Sequence, residues 1–243
     1  MRGHPTAIVL LSGGLDSATV LAMALAAGRR CFALSYQYGQ RHAAELRAAS
    51  RVAASLGAHR HEIWAMPWPP SRASSLTDPS APMPAWSSAQ SPGDPPAPST
   101  YVPARNTVFL AMALSYAEAS GAAEIHWGAQ APGSERYPDC RPEFVSAFQA
   151  LMEVATVAGG IRLVTPLLHW SKARIIREGT ALGVDYGLTS SCYDPVPAGA
   201  TAAVGQPPGP DSAAMACGVC EACHLRRRGF EEAGVDDPTV YRV

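Results

Sequence analysis

The strongest constraint in the sequence lies near its start, where a short apolar run, Ala7-Ile8-Val9-Leu10-Leu11, passes directly into Ser12-Gly13-Gly14-Leu15-Asp16-Ser17. A continuous apolar run of that length, closed by turn residues, suits a strand buried on both faces of a parallel sheet. Helix composition follows over 17–27, closed by Gly28. Backbone N–H groups are unpaired at such a strand-to-helix junction, and the helix dipole there favours an anion. Gly13 and Gly14 leave the backbone free to close around a phosphate, and Ser12 and Ser17 add hydroxyl donors. Asp16 is the informative residue, because a carboxylate beside phosphates is repulsive unless a divalent or neighbouring cation offsets it. Two glycines alone would describe a capped turn. Within Leu11-Ser12-Gly13-Gly14-Leu15-Asp16-Ser17, Asp16 suggests a Mg²⁺-bound nucleotide, with Asp16 and Ser17 closest to the chemistry.

The pattern then repeats. Strands are expected over 31–35 and 60–64, with a helix over 42–56 between them, so the first third reads βαβαβ. That rhythm predicts an α/β fold, a doubly wound, mostly parallel sheet, with ligands at the C-terminal strand ends. Residues 67–98 turn to Pro, Ser and Ala and read as an irregular, mobile loop. Order returns at Tyr101-Val102-Pro103-Ala104-Arg105-Asn106, followed by a helix to about 120, a strand over 124–128, a helix over 142–156 and a strand over 162–167. Ser171 can cap a helix running through 178, with Lys172 in its first turn. A second Pro/Gly/Ala-rich stretch fills 196–215.

Six cysteines are few for 243 residues, and three crowd into Cys217-Gly218-Val219-Cys220-Glu221-Ala222-Cys223. That spacing is too tight for separate disulfides and suits metal thiolates. A closed tetrahedral zinc site needs a fourth ligand, and Cys192 is the natural one, since loop-closure cost grows only logarithmically with chain length. His224 competes, but its bond to Cys223 would strain a shared tetrahedron. Four thiolates leave no open position, so the metal has a folding role. Cys31 reads as a small core residue, while Cys140 lies in a polar turn where a functional role is plausible.

Nineteen basic residues against 20 acidic ones, a net charge of -1, provide no field to gather nucleic acid or an anionic membrane. A small-molecule substrate is expected, without direct nucleic-acid or membrane binding. Arg2 and the apolar runs around 7–11 and from 18 mimic an export signal, yet Asp16 and its neighbours split them, and neither reaches the roughly 20 residues a bilayer span takes. A cytoplasmic location is therefore expected, in keeping with free thiols.

The string S-G-G-x-D-S at the first strand–helix junction resembles the pyrophosphate loop of ATP pyrophosphatase-type (PP-loop) enzymes, which cleave ATP between its α and β phosphates. No Gly-Lys-Ser/Thr string suggests γ-phosphate transfer. Further strings are similar, in order, to the 7-cyano-7-deazaguanine synthase family: Tyr38-Gly39-Gln40-Arg41-His42, Tyr101-Val102-Pro103-Ala104-Arg105-Asn106-Thr107, Tyr137-Pro138-Asp139-Cys140-Arg141-Pro142-Glu143-Phe144, Ser191-Cys192-Tyr193 and the cysteine triplet. The resemblance implies an adenine nucleotide alpha hydrolase-like domain over 1–185 and a four-cysteine zinc segment over 186–243 packed on it. It implies that a deazaguanine acid, ATP and ammonia are the substrates, and that the protein is a homodimer. Lys172 or Arg105 would neutralise charge on the α-phosphate; Arg141 would pair with the substrate carboxylate and Asp139 with guanine-like N–H groups, beside Cys140. One segment departs. Where the family carries Asn-Ala-x-Asp-Tyr-Ser-Gly, this chain reads Ala129-Gln130-Ala131-Pro132-Gly133-Ser134-Glu135-Arg136. An amide product, or transfer to another amine such as a protein N-terminus, is the alternative that this departure raises. Other PP-loop chemistries and a zinc-bearing binding module without catalysis are the remaining alternatives.

Overall fold

A computed structural model describes residues 4–41, 44–68, 74–87, 97–132, 134–157, 159–196 and 214–242. Five parallel strands form one sheet in the order β3-β2-β1-β4-β5: β1 Thr6–Leu10, β2 Arg30–Gln37, β3 Arg60–Ala65, β4 Glu124–His126 and β5 Arg162–Val164. Alternation along β1 sorts the core into two layers. Ile8 and Leu10 pack with α3 (Arg105–Ser120) and α4 (Pro142–Ala155). Val9 and Leu11 pack with α1 (Leu15–Ala26), α2 (Ala44–Leu56), α5 (Lys172–Ala181) and α6 (Glu221–Ala233). The expected doubly wound α/β fold is the observed one. The chain passes from one side of the sheet to the other between β1 and β4, which makes their C-terminal ends the topological switch point.

Several boundaries shift for local reasons. The last strand stops at Val164 because Pro166 has no N–H to continue the ladder and the chain turns, Leu168 N–H donating to Thr165 O at 3.2 Å. Helix α3 starts at Arg105 because Ala104 sits in the left-handed region at φ 52°. His42 and Ala43, expected in the second helix, lie outside the described residues.

The Pro-rich stretch is irregular, as expected, but its described part is pinned. The Arg41 side chain donates to Ala81 O at 2.8 Å, Leu76 is buried in the core, and Trp86 donates its N–H to Val219 O at 2.8 Å. The Trp86 ring stacks on His224, centroids 3.5 Å apart. Of residues 196–215, Val196 and Met215 pair in an antiparallel bridge and 197–213 are outside the described residues.

Helix α6 is not foreseen by the sequence reading. Its composition is polar on average, and Cys223, Arg226, Gly229 and Phe230 are its buried residues. The Arg226 guanidinium donates to Asp237 Oδ1 (3.0 Å), Thr189 Oγ1 (2.8 Å) and Tyr186 O (3.0 Å), fastening the C-terminal tail. Full burial of Phe230, edge-on to Tyr186, contributes about 2–3 kcal/mol.

At the far end of the sheet from the switch point, Glu124 is buried at the start of β4. It accepts from Arg29 Nε at 2.8 Å, from Arg162 and from His126 Nε2 at 2.8 Å. The buried Nδ1 of His126 has no partner, which makes a second ring proton costly; burial accordingly lowers the His126 pKa despite the adjacent carboxylate.

Candidate active site and cysteine centre

The 12–17 loop is braced by its own hydrogen bonds. Ser17 Oγ donates to Gly14 O at 3.0 Å and accepts from Ser12 N at 3.2 Å, and Ser12 Oγ accepts from Gly14 N at 3.3 Å. Gly14 is the N-cap of α1 and carries no side chain, so the first amides of the helix face the cavity unobstructed. Gly13 has a different task. At φ 88° it lies against α2, where a Cβ would come within 2.3 Å of Glu45 O and 2.5 Å of Ala49 N, and it is not a cavity-lining residue. Its missing side chain admits the second helix rather than a phosphate.

Beside the loop, the Lys172 ammonium donates to both Asp16 carboxylate oxygens at 2.8 Å. The cap that starts its helix is as expected: Ser171 accepts from Arg174 N. The cation that offsets Asp16 is thus built into the protein.

The facing wall comes from the start of α3 and the turn before α4. Arg105 donates to Tyr38 OH at 3.0 Å, its guanidinium 5.8 Å from the same ring centroid. Asp139 is buried, and its Oδ2 accepts from the Asn106 backbone N–H at 3.1 Å, capping α3. Arg141 donates to Glu135 O at 2.9 Å. Neither residue lines the cavity, whereas Cys140 between them does. Burial pushes the Cys140 thiol up to about 12, so it stays protonated at neutral pH. Tyr137 and Thr100 share a hydroxyl contact of 2.6 Å, and Tyr137 OH donates to Glu221 Oε2 at 3.1 Å.

These walls enclose one cavity of about 520 Å³. It unites Ser12, Gly14, Leu15, Asp16, Ser17 and Lys172 with Arg105 and Cys140, and Leu11 joins them at the floor. Tyr36, Tyr38, Phe109 and Trp127 supply flat apolar surface suited to planar rings. The divergent segment also reaches it, through Ala129, Gln130, Pro132 and Ser134. Gln130 is tied back to Trp170 O at 2.8 Å. Helix α6 supplies Ala222, Leu225, Arg226, Arg228, Gly229 and Glu232 to the wall.

The cysteines converge as expected. The Sγ atoms of Cys192, Cys217, Cys220 and Cys223 all lie within 4.8 Å of one another, and all four residues are buried. Backbone N–H groups of Cys217 and Asp194 donate to Cys192 Sγ at 3.2 and 3.3 Å. Hydrogen bonds from Cys192 and Cys223 lower the Cys220 thiol, and a divalent cation bound by the four thiolates would displace their protons. Four free thiols at this spacing fit a tetrahedral thiophilic metal. His224 is turned away onto Trp86.

A parallel sheet whose switch point opens on this serine–glycine loop, with a carboxylate–ammonium pair beside it, defines an ATP-dependent synthase of the PP-loop type. The chain belongs to the family of the queuosine biosynthesis protein QueC, whose model matches residues 6–234. A 7-cyano-7-deazaguanine synthase of Ralstonia pickettii (strain 12J) is 51% identical over 239 residues, covering 97% of this chain and 98% of that protein. One from Legionella pneumophila (strain Paris) is 50% identical over 240 residues, covering 97% and 96%. Among the described residues no helix is long and apolar enough to cross a membrane.

Proposed function

We propose that this chain converts 7-carboxy-7-deazaguanine and ammonia into 7-cyano-7-deazaguanine, cleaving ATP to AMP and pyrophosphate. The observation that carries this reading is the single cavity in which the phosphate loop faces a wall of aromatic rings and hydroxyls. A substrate carboxylate oxygen attacks the α-phosphate and expels pyrophosphate. Ammonia then adds to the acyl carbon, AMP leaves and a proton is lost, giving the amide. The amide oxygen attacks the α-phosphate of a second ATP and expels a second pyrophosphate; departure of AMP, which carries off that oxygen, with loss of the remaining nitrogen protons leaves the nitrile. Full-length relatives bearing the nitrile synthase name favour this outcome over an amide or a protein conjugate.

In this reading the α1 amides, Ser12 and Ser17 hold the phosphates, and Lys172 moves from Asp16 towards charge developing on the α-phosphate. Asp16 would hold the Mg²⁺ that travels with ATP, which screens phosphate charge. Arg105, on the opposite wall, is placed to meet a substrate anion. Substrate edges meet Tyr137, Thr100 and Cys140 rather than Asp139 and Arg141, whose polar atoms serve the backbone. The four cysteines would hold Zn²⁺ in a folding role, residues 1–185 forming the ATP-binding unit and 186–243 the metal-bearing segment. A homodimer and a cytoplasmic setting complete the proposal.

The test is mass-resolved product analysis of the purified protein with 7-carboxy-7-deazaguanine, ATP, Mg²⁺ and ammonium, following AMP and pyrophosphate. Nitrile with AMP supports the reading. AMP with amide alone assigns the divergent 129–136 segment a different product, and no AMP at all refutes the proposal.

A further inference from the structure

Helix α6 crosses α5 at the residue whose ammonium reaches the phosphate loop. An ideal Cβ on Gly229 would lie 2.4 Å from Lys172 Cγ, 3.0 Å from Lys172 Cβ and 3.0 Å from Ile176 Cδ1. Carbon atoms settle about 3.5–4.0 Å apart, so a methyl group there requires a movement of roughly 1 Å. We infer that Gly229 is a positioning residue: the bare helix surface at this point fixes the Lys172 stem, and through it the place of Nζ beside Asp16.

The movement cannot come cheaply from α6. Its first residues lie in the cysteine cluster, with Cys220 as N-cap and Cys223 in the first turn. Arg226, one turn before Gly229, makes three hydrogen bonds to Asp237, Thr189 and Tyr186, and Phe230, one residue after it, is buried in the core. The helix is therefore held on both sides of the contact. Nor can Ile176 retreat, because it is fully buried in the layer between α5 and the sheet. Lys172 is the movable partner. Its side chain runs from the point of contact at Cγ to a bidentate contact with Asp16, so displacing Cγ displaces the ammonium. The metal-bearing segment thereby governs the geometry of the phosphate loop in addition to its folding role.

This inference rests on the proposed role of Lys172 at the α-phosphate, and the experiment separates the two. Gly229→Ala is made alone and in a Lys172→Ala background, where no Cγ remains to be struck. Alanine is the better helix former, so the helix itself gains by the change. In the wild-type background kcat for pyrophosphate formation should fall on the order of tenfold to a hundredfold with KM for ATP within about twofold, while bound metal stays unchanged. In the Lys172→Ala background the 2.4 Å approach to Cγ is gone and the 3.0 Å approaches to Cβ and Ile176 Cδ1 remain, so Gly229→Ala should cost little further activity and lower the melting temperature less than it does in the wild-type background. Loss of kcat in the first case and little in the second supports the inference. Unchanged kcat in Gly229→Ala, or an equal loss in both backgrounds, overturns it. The melting comparison requires no substrate: a drop in melting temperature on Gly229→Ala that is as large in the Lys172→Ala background as in the wild type overturns the contact itself, whatever the protein's reaction.

Discussion

Glu124 offers a stability prediction that can be worked from the structure. Its side chain is 4% exposed. Burial alone would raise its pKa; hydrogen bonds from Arg29 and His126, with their charges, outweigh burial and hold it at about 2 against an ordinary 4.5. A carboxylate lowered on folding stabilises the protein above its unfolded pKa and loses that contribution as pH falls towards the folded value. Here the contribution is about 3 kcal/mol at pH 7 and about 2 kcal/mol at pH 3.5. Glu124→Gln keeps the shape and removes the charge. Arg162 is 65% exposed and Arg29 26%, so water can receive both cations and the cost should stay near the linkage figure. For a chain of this size that lowers the melting temperature by about 6–12 °C. The assay is paired urea unfolding of wild type and variant at pH 7 and pH 3.5. Burial lowers the His126 pKa, so His126 also costs stability below its ordinary 6.5, and because Glu124 faces its Nε2 the variant lowers it further; the gap at pH 7 is therefore the reading specific to Glu124. Equal stabilities at pH 7 would refute the reasoning.

The site gives further predictions. Asp16→Ala should reduce pyrophosphate release by about a hundredfold or more, while urea unfolding shows the fold intact. Cys220→Ser should lower bound metal, read by elemental analysis, and drop the melting temperature by about 10 °C. Cys140→Ser should retain pyrophosphate release within about tenfold, and the wild-type residue should resist alkylation at pH 7, because a thiol raised to about 12 is rarely ionised.

How much of this was legible depends on how local each cause is. Strand β1, the 12–17 loop and the cap at Ser171 announce themselves within a few residues, and the cysteine spacing carried the metal cluster despite the distance to Cys192. Long-range commitments were not legible. Asp139 looked like a substrate residue because its partner, the Asn106 amide, lies 33 positions away. Gly13 looked like a phosphate cradle because α2, which crowds it, approaches only in the folded protein. Helix α6 hid because its buried stripe, Cys223, Arg226, Gly229 and Phe230, contains one large apolar residue, and a hydrophobicity pattern does not count the arginine and glycine beside it as core.

The strand order has a consequence for how the chain is made. Strand β1 occupies the middle of the sheet, yet one of its two neighbours, β4, begins only at Glu124. During synthesis β1, β2 and β3 can associate as they emerge, leaving one edge of the most apolar strand open until Glu124 and its neighbours arrive. An open apolar edge is a template for pairing with another chain. Parallel pairing over such sequence distances is also slow, since loop closure precedes any reward. Refolding yield should therefore fall steeply with protein concentration, and nascent chains that stall before β4 should be the ones that aggregate.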